Sequence, residues 1–431
     1  MVVGFGVTGR AVTDHLVGGG AGVVVVEDGG GDTLALDVAA SGARLGTVDD
    51  VAGADLVVPS PGVPPTHPVH AAAAAAGVPV VSEVELAWRA AAPGTRFVAV
   101  TGTNGKTTVA TMAAAILVAA GVRAVPAGNI GLPLVTAVAT RPDVVVAEVS
   151  SFQLQHTAGF RPDVAVWLNF AADHLDWHPT LEHYAAAKAR IWANQGPGDV
   201  AVVNAEDPVV AAAAGSAPGR LVTFGIDRGE WCVAGGTLRG PRGDVVAASQ
   251  LPRCLPHDVA NALAAMAAAS AAGAGTEACR AGVTAFAGLP HRVQLVGEAG
   301  GVRYYDDSKA TTPASVEAAL RGFESVVLIA GGRNKGLDLR PLAGQAHRVR
   351  AVVAIGEAAP EVEAAFSGAA PVTVARSMAD AVGAAAAAAR PGDAVLLSPG
   401  CASFDWYRNY AERGDDFAAA VHDLLEGGHA G

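Results

Sequence analysis

Runs of branched apolar residues recur along the chain, each closed by a glycine-bearing turn and followed by an alanine-rich stretch. In residues 1–92, "VVGFGVTG" reads as a strand and a tight turn, and "AVTDHLVGGG" as a short helix ending in glycines. "VVVVED" is a second strand, and "ADLVVPSPGV" a third, closed by Ser60-Pro61-Gly62. This alternation predicts βαβ units and a parallel sheet. "RAAAPGTRF" (89–97), with Pro93-Gly94, reads as a link to a second domain that opens on "VAVTGTNGKTTVATMAAAIL" (98–117), a strand, a loop and a helix. The rhythm continues through "DVVVAEVSSFQL" and "DVAVWLNFAADHLDWH", where "ADHLD" reads as a loop-like start to a helix, then a helix around Lys188 and "GDVAVVNAEDP". Residues 221–256 are more strand-like and irregular, and 257–273 form an alanine-rich helix. "GLPHRVQLV" starts a third stretch of the same rhythm, with "GVRYYDDSKA", "SVVLIAGGRNKG", "RAVVAIGE" and "DAVLLSPGCASFD". The predicted fold is α/β in three domains: a Rossmann-like one over 1–92, a central one over 93–288 with a mostly parallel sheet that opens on a P-loop-like strand, loop and helix, and a second Rossmann-like one over 289–431.

Length and composition agree with this division. The 431 residues suffice for about three domains of roughly 150 residues. At 51% hydrophobic and 16% charged, the chain can bury large cores. Its net charge of -12 argues against a nucleic-acid or anionic-membrane surface, yet backbone N–H groups can still hold phosphates locally. Cys232, Cys254, Cys279 and Cys401 are far apart with no C-x-x-C pair, which fits a reducing cytoplasm. The N-terminus shows no basic segment followed by an apolar one. The alanine runs 71–76 and 384–389 are too short to span a bilayer, which needs about 20 apolar residues.

Two loops carry candidate chemistry. Gly4, Gly6 and Gly9 form G-x-G-x-x-G after a strand, and the acids Glu27 and Asp28 end the next strand, as a nucleotide-binding fold needs. The second loop is Thr101–Thr108. The N–H groups from Gly102 through Thr103, Asn104, Gly105, Lys106, Thr107 and Thr108 can cradle phosphate at a helix N-terminus. In such a loop Lys106 would reach the β- and γ-phosphates, and the Thr107 hydroxyl would bind Mg²⁺. The usual P-loop has glycine where Val100 stands, and Gly102 two places on implies a different first turn. Glu148, at a strand end, is placed to ligate the ion near Thr107.

Lysine is scarce: only Lys106, Lys188, Lys309 and Lys335 occur. A lysine kept in such a chain is a candidate for what a guanidinium cannot do, since its amine can lose a proton and react. Survival by chance on solvated faces is the alternative.

Together TGTNGKTT, GNIG, EVSSFQL, LNFAADHLDWH, YAAAKARIW, GLPHR, DDSKAT, GGRNKG and SPGCASFDWYRNY resemble the Mur ligase superfamily over essentially the whole chain. These are ATP-dependent amide-bond ligases of peptidoglycan precursor synthesis, with folylpolyglutamate synthases as cousins. The last four motifs are most similar to the branch that joins D-glutamate to UDP-N-acetylmuramoyl-L-alanine; sister branches tend to carry His or Asn in place of Lys309.

The resemblance implies roles residue by residue. His174, flanked by Asp173 and Asp176, becomes a ligand of a second Mg²⁺ and touches the UDP-sugar substrate. Lys188 carries a carbamate formed with CO₂, which turns an ammonium into an anion beside the metals. Asp307 holds the ATP ribose, and Asn261 and Arg292 the adenine nucleotide; Asp258 stands where the family often has Asn, and an acid cannot donate as an amide does. Lys309 stabilises phosphate or the reacting carboxylate. Lys335, Thr311, Ser403 and the Tyr410 backbone contact D-glutamate. Gly6, Val7, Thr8 and Gly9 wrap the UDP diphosphate, with Glu27 or Asp28 near uridine, and Ser60, Gly62, Asn129 and Ser150 extend that site toward the sugar-peptide. The implied reaction forms an acyl phosphate, shielded from water by domain closure, which the amino acid's amine then attacks. A monomer without nucleic-acid or membrane partners is the expected state. Another amide ligase of the superfamily and a non-ligating nucleotide-binding protein stay open as readings; a nicotinamide-dependent oxidoreductase explains Gly4–Gly9 but not Thr101–Thr108.

Overall fold

The computed structural model describes residues 1–29, 31, 33–129, 131–175 and 177–427. Its residues fall into two compact units. The first holds Met1–Phe170, Trp177–Gln250 and Ala260–Phe286; the second holds Ala171–Asp176, Leu251–Val259 and Ala287–Gly431. Asp176, singled out beside His174, lies outside the described residues.

The first unit opens with strands β1 (Val2–Val3), β2 (Val24–Val26), β3 (Arg44–Leu45) and β4 (Val58–Pro59), parallel in the order β3-β2-β1-β4. Helices α1 (Val7–Gly18), α2 (Leu34–Ala40), α3 (Pro68–Ala76) and α4 (Glu83–Ala90) accompany them. Gly9 explains the first glycine motif: a Cβ there would lie 1.9 Å from the Gly4 carbonyl oxygen, so only glycine lets α1 start against the end of β1.

A second parallel sheet follows, of β5 (Arg96–Thr101), β6 (Ala124–Gly128), β7 (Val144–Glu148), β8 (Val164–Trp167), β9 (Val200–Asn204) and β10 (Arg220–Phe224). Its order is β10-β9-β8-β5-β7-β6. Helices α5 (Lys106–Ala119), α6 (Leu134–Ala139), α7 (Ser151–Gln155), α8 (Leu181–Ala189) and α9 (Pro208–Ala213) connect its strands. β5, between β7 and β8, is where the order reverses, and such a switch point leaves a crevice beyond the strand ends. The helix expected to begin at "ADHLD" begins instead at Leu181, where the Thr180 side chain accepts from the His183 N–H. His174 has φ 55°, a left-handed turn that no helix accommodates.

The irregular stretch is an antiparallel sheet of β11 (Cys232–Ala234), β12 (Thr237–Gly240) and β13 (Gly243–Ala247). Helices α10 (Pro256–Ala271) and α11 (Thr276–Ala285) follow.

The second unit is built on β14 (Gln294–Ala299), β15 (Val302–Asp306), β16 (Val326–Gly331), β17 (Val349–Ile355), β18 (Val372–Val374) and β19 (Ala394–Gly400), in the order β14-β15-β19-β16-β17-β18. Only β14 is antiparallel to its neighbour. Helices α12 (Pro313–Leu320), α13 (Ala359–Phe366), α14 (Met378–Ala388) and α15 (Tyr410–Gly427) cover it. Val326, Leu328 and Ala330 pack into one core, and Val327 and Ile329 into another on the opposite face. Burial on both faces is why "VVLIAGG" reads as an unbroken apolar run. No helix among the described residues is long and apolar enough to cross a membrane.

Candidate active site

The loop between β5 and α5 is held from outside. Gly105 has φ 83°, and a Cβ there would stand 2.6 Å from Asn261 Oδ1, so the turn demands glycine twice over and puts Asn261 against it. Asn169, just beyond β8, brackets the loop: its Oδ1 accepts from the Asn104 N–H (2.9 Å) and its Nδ2 donates to the Asn104 carbonyl (3.1 Å). The Thr103 N–H donates to the Asn169 carbonyl at 3.2 Å. Thr103 and Asn104 thus spend their N–H groups on the scaffold. The first turn of α5 follows directly, and the positive end of its dipole favours negative charge at the loop.

Two lysines converge here. Lys106 Nζ donates to the Gly102 and Thr103 carbonyls, both at 2.9 Å. Lys188, 1% exposed near the end of α8, donates to the same Gly102 oxygen at 2.8 Å, with its Nζ 4.6 Å from the centre of the Tyr184 ring. Thr108 is buried and Thr107 half-buried.

Glu148 ends β7, and its registers with Val100 on β5 and Gly128 on β6 put it in line with the phosphate loop. It is 2% exposed; Oε1 accepts from Asn129 Nδ2 at 2.9 Å, while Oε2 has no hydrogen-bond partner. A buried carboxylate oxygen left without a donor is costly unless a cation meets it. No cluster of three His, Cys, Asp or Glu exists among the described residues. One carboxylate, with a hydroxyl such as that of Thr107 and oxygens from phosphate and water, is a set that could hold Mg²⁺. Ser150 caps α7 in a capping box with Gln153, and the next residue, Ser151, bonds His178 Nε2 at 2.9 Å.

At the first sheet, Val7 is 72% exposed on the first turn of α1, beside half-buried Thr8. Ser60 donates to the Gly4 carbonyl at 3.2 Å, and Gly62 is exposed just beyond. Glu27 turns back on the loop, accepting from the Phe5 and Gly29 N–H groups (2.5 and 3.1 Å). Asp28 pairs with His67 Nε2 at 3.0 Å, a partner the sequence reading missed.

In the second unit three motif turns leave the ends of adjacent strands, β15, β19 and β16. The Arg333 N–H donates to the Ala402 carbonyl at 2.8 Å, tying the turn that carries Lys335 to the one that carries Ser403. Arg413, 1% exposed, ties in the third: Nε and Nη2 donate to the Ser308 hydroxyl and carbonyl (2.9 and 2.8 Å), and Nη1 to the Cys401 carbonyl (3.2 Å). Ser308 Oγ donates to the Tyr410 carbonyl at 2.7 Å, and Lys309 Nζ sits 3.8 Å from the Tyr410 ring centre. Ser403 is buried, Thr311 and Lys335 half-buried. Asp307 accepts from Ser398 Oγ (2.8 Å) and the Val293 N–H (3.2 Å), yet burial pushes its carboxyl up to about 7. Arg292 lies near enough to lower that value in part. Asp258 is engaged by Arg253 through two 2.6 Å bonds, so its carboxylate serves an ion pair. His174 stays with Asp173, Nε2 to Oδ2 at 3.2 Å.

Comparison with known proteins completes the picture. The Mur ligase middle domain matches residues 100–269, and the Mur ligase glutamate ligase domain matches 291–401. A UDP-N-acetylmuramoylalanine--D-glutamate ligase of Frankia casuarinae is 48% identical, over 98% of this chain and 93% of its own. The chain belongs to the Mur ligase family. Another such ligase, of Pelotomaculum thermopropionicum, is 42% identical over 99% of this chain and 98% of its own. The Mur ligase fold recurs in a pseudomurein peptide ligase of Methanothermus fervidus (TM-score 0.65, 17% identity, 98% and 99% of the two chains). It recurs also in the UDP-N-acetylmuramate-alanine ligase MurC of Thermotoga maritima (TM-score 0.61, 19% identity, 98% and 99%). Mur ligases depend on ATP and Mg²⁺, and the cradle at α5 with the orphaned Glu148 oxygen suits both.

Proposed function

We propose that this chain joins D-glutamate to the L-alanine carboxylate of UDP-N-acetylmuramoyl-L-alanine at the expense of ATP, through an acyl phosphate. The observation that carries the reading is near full-length identity of 48% to a relative bearing that activity in its name. Lys309 and Lys335, on turns of one sheet that Arg413 and Arg333 tie to a shared third turn, support it.

In this reading residues 1–92 hold UDP through Val7, Thr8, Gly9 and Glu27, and 93–288 hold ATP. Residues 289–431 hold glutamate through Lys309, Thr311, Lys335, Ser403 and the Tyr410 backbone. The α5 N–H groups and Lys106 hold the triphosphate, Thr107 and Glu148 would ligate one Mg²⁺, and His174 a second. The metal supplies charge neutralisation between the carboxylate and the γ-phosphate. Ser60, Gly62, Asn129 and Ser150 orient the sugar-peptide; Asn261 and Arg292 place adenine, and Asp307 the ribose. Lys188 becomes a carbamate: two ammonium groups on the single Gly102 oxygen repel, and an anion in place of one would pair with Lys106.

Phosphate release measured with ATP, UDP-N-acetylmuramoyl-L-alanine and a panel of amino acids in both enantiomers tests the proposal. D-glutamate is the expected preferred acceptor; preference for L-alanine or a diamino acid would overturn it.

A further inference from the structure

Glu83 is the first residue of α4, and its carboxyl lies in the core at 1% exposure. Oε1 accepts from the Val135 N–H at 3.1 Å, Leu134 N–H adds to the interaction, and Oε2 has no partner. Leu134 and Val135 open α6, whose N-cap is Pro133 and which receives no capping side chain of its own. Glu83 caps that helix from 52 residues upstream of Val135, a task local Ser, Thr, Asp or Asn usually performs.

The position of α6 matters because of what precedes it. The Gly128 N–H donates to the Leu132 carbonyl at 2.9 Å, closing the turn between β6 and α6. From this turn the Asn129 N–H donates to the Glu148 carbonyl (3.0 Å), and its Nδ2 to Glu148 Oε1 (2.9 Å). Asn129 thereby leaves Glu148 Oε2 as the oxygen to meet a cation. From Glu83 the path runs to the α6 N-terminus, through Leu132, whose carbonyl holds the Gly128 N–H, and from Gly128 to Asn129 and Glu148.

Glu85, two residues on, shows what a stabilising role looks like. Burial pushes it up, but the N–H groups of Ala158, Gly159 and Phe160 and the Arg89 guanidinium outweigh that and hold it below the usual range. Glu83 has fewer donors, and burial drives it up to about 7.

We propose that Glu83 is a positioning residue for the metal-ligating carboxylate, pinning the start of α6 so that Asn129 fixes Glu148. The proposal rests on the Mg²⁺ role given to Glu148 above. The tests are amide hydrogen exchange of the metal-free chain, and Mn²⁺ binding in the presence of ADP followed by electron paramagnetic resonance, for wild type, Glu83→Leu and Glu83→Gln. Glu83→Leu should speed exchange at the Asn129 amide and weaken Mn²⁺ binding about 10-fold, with Glu83→Gln, which keeps an acceptor for the Val135 N–H, between it and wild type. Wild-type exchange at Asn129 in Glu83→Leu, with only the Leu134 and Val135 amides faster, would overturn the proposal, as would unchanged Mn²⁺ affinity. A wild-type chain that joins no amino acid would sink the functional reading alone, because exchange at Asn129 is measured without substrates.

Discussion

Lys106 and Lys188 donate to one and the same acceptor, the Gly102 carbonyl oxygen, at 2.9 and 2.8 Å. One ammonium rides on the helix that starts at the phosphate loop, the other on a helix that begins 75 residues later. A chain with only four lysines has put two of them on one oxygen, and one of these is buried.

Replacing Lys188 with arginine keeps the charge and removes the amine. Arginine stays protonated and forms no carbamate. Lys188→Arg should lose more than about 100-fold in phosphate release at saturating substrates, the scale of losing a group that positions a metal. Near wild-type turnover would exclude the carbamate.

Glu148→Gln tests the orphaned oxygen. The amide keeps the Asn129 contact through its carbonyl but offers no negative charge to an ion. Mn²⁺ binding with ADP should weaken at least about 10-fold. The variant should unfold no earlier than wild type, because the buried charge is gone. Unchanged metal affinity would remove Glu148 from the site.

Asn169→Ala removes two hydrogen bonds from Asn104. At about 1 kcal/mol each, the loop loses roughly a factor of ten or more in its ordered population. The KM for ATP should rise by that order while the KM for the amino acid stays put. An unchanged KM for ATP would mean that the loop holds its shape without Asn169.

Asp307 gives a pH dependence with a definite sign. Its carboxyl sits at about 7 in the fold, well above the ordinary aspartate range, chiefly because burial strips it of water. The folded state therefore holds a proton that the unfolded chain gives up. Stability falls as pH rises from about 4 through 7, and levels off above. Asp307→Asn should flatten this slope and melt higher than wild type at pH 8, while its KM for ATP rises if the ribose role holds. A wild-type slope in the variant would assign the pH dependence elsewhere.

Features whose chemistry is local were legible in the amino-acid order. The glycines of both loops, the apolar strands and the Lys106-Thr107 pair stood in the order the fold uses, because a turn, a pleat and a helix N-terminus each depend on a few adjacent residues. The start of α8 was misplaced because the left-handed turn at His174 and the Thr180 cap are set by backbone angles that the polar sequence does not display. Asn169, Arg413 and His67 were passed over for another reason. An asparagine beside a strand, an arginine on a helix and a histidine before a proline look like surface residues until distant segments arrive.

The sequence by itself determined the α/β rhythm, the phosphate loop and the family, since these are written in contiguous motifs. Tertiary structure alone decided that Lys188 meets the Gly102 carbonyl across 86 positions, and that Glu83 caps a helix 52 positions away. Those pairings arise from strand order and helix packing. Burial then decides which polar atoms keep a partner and which, like Glu148 Oε2, are left without one.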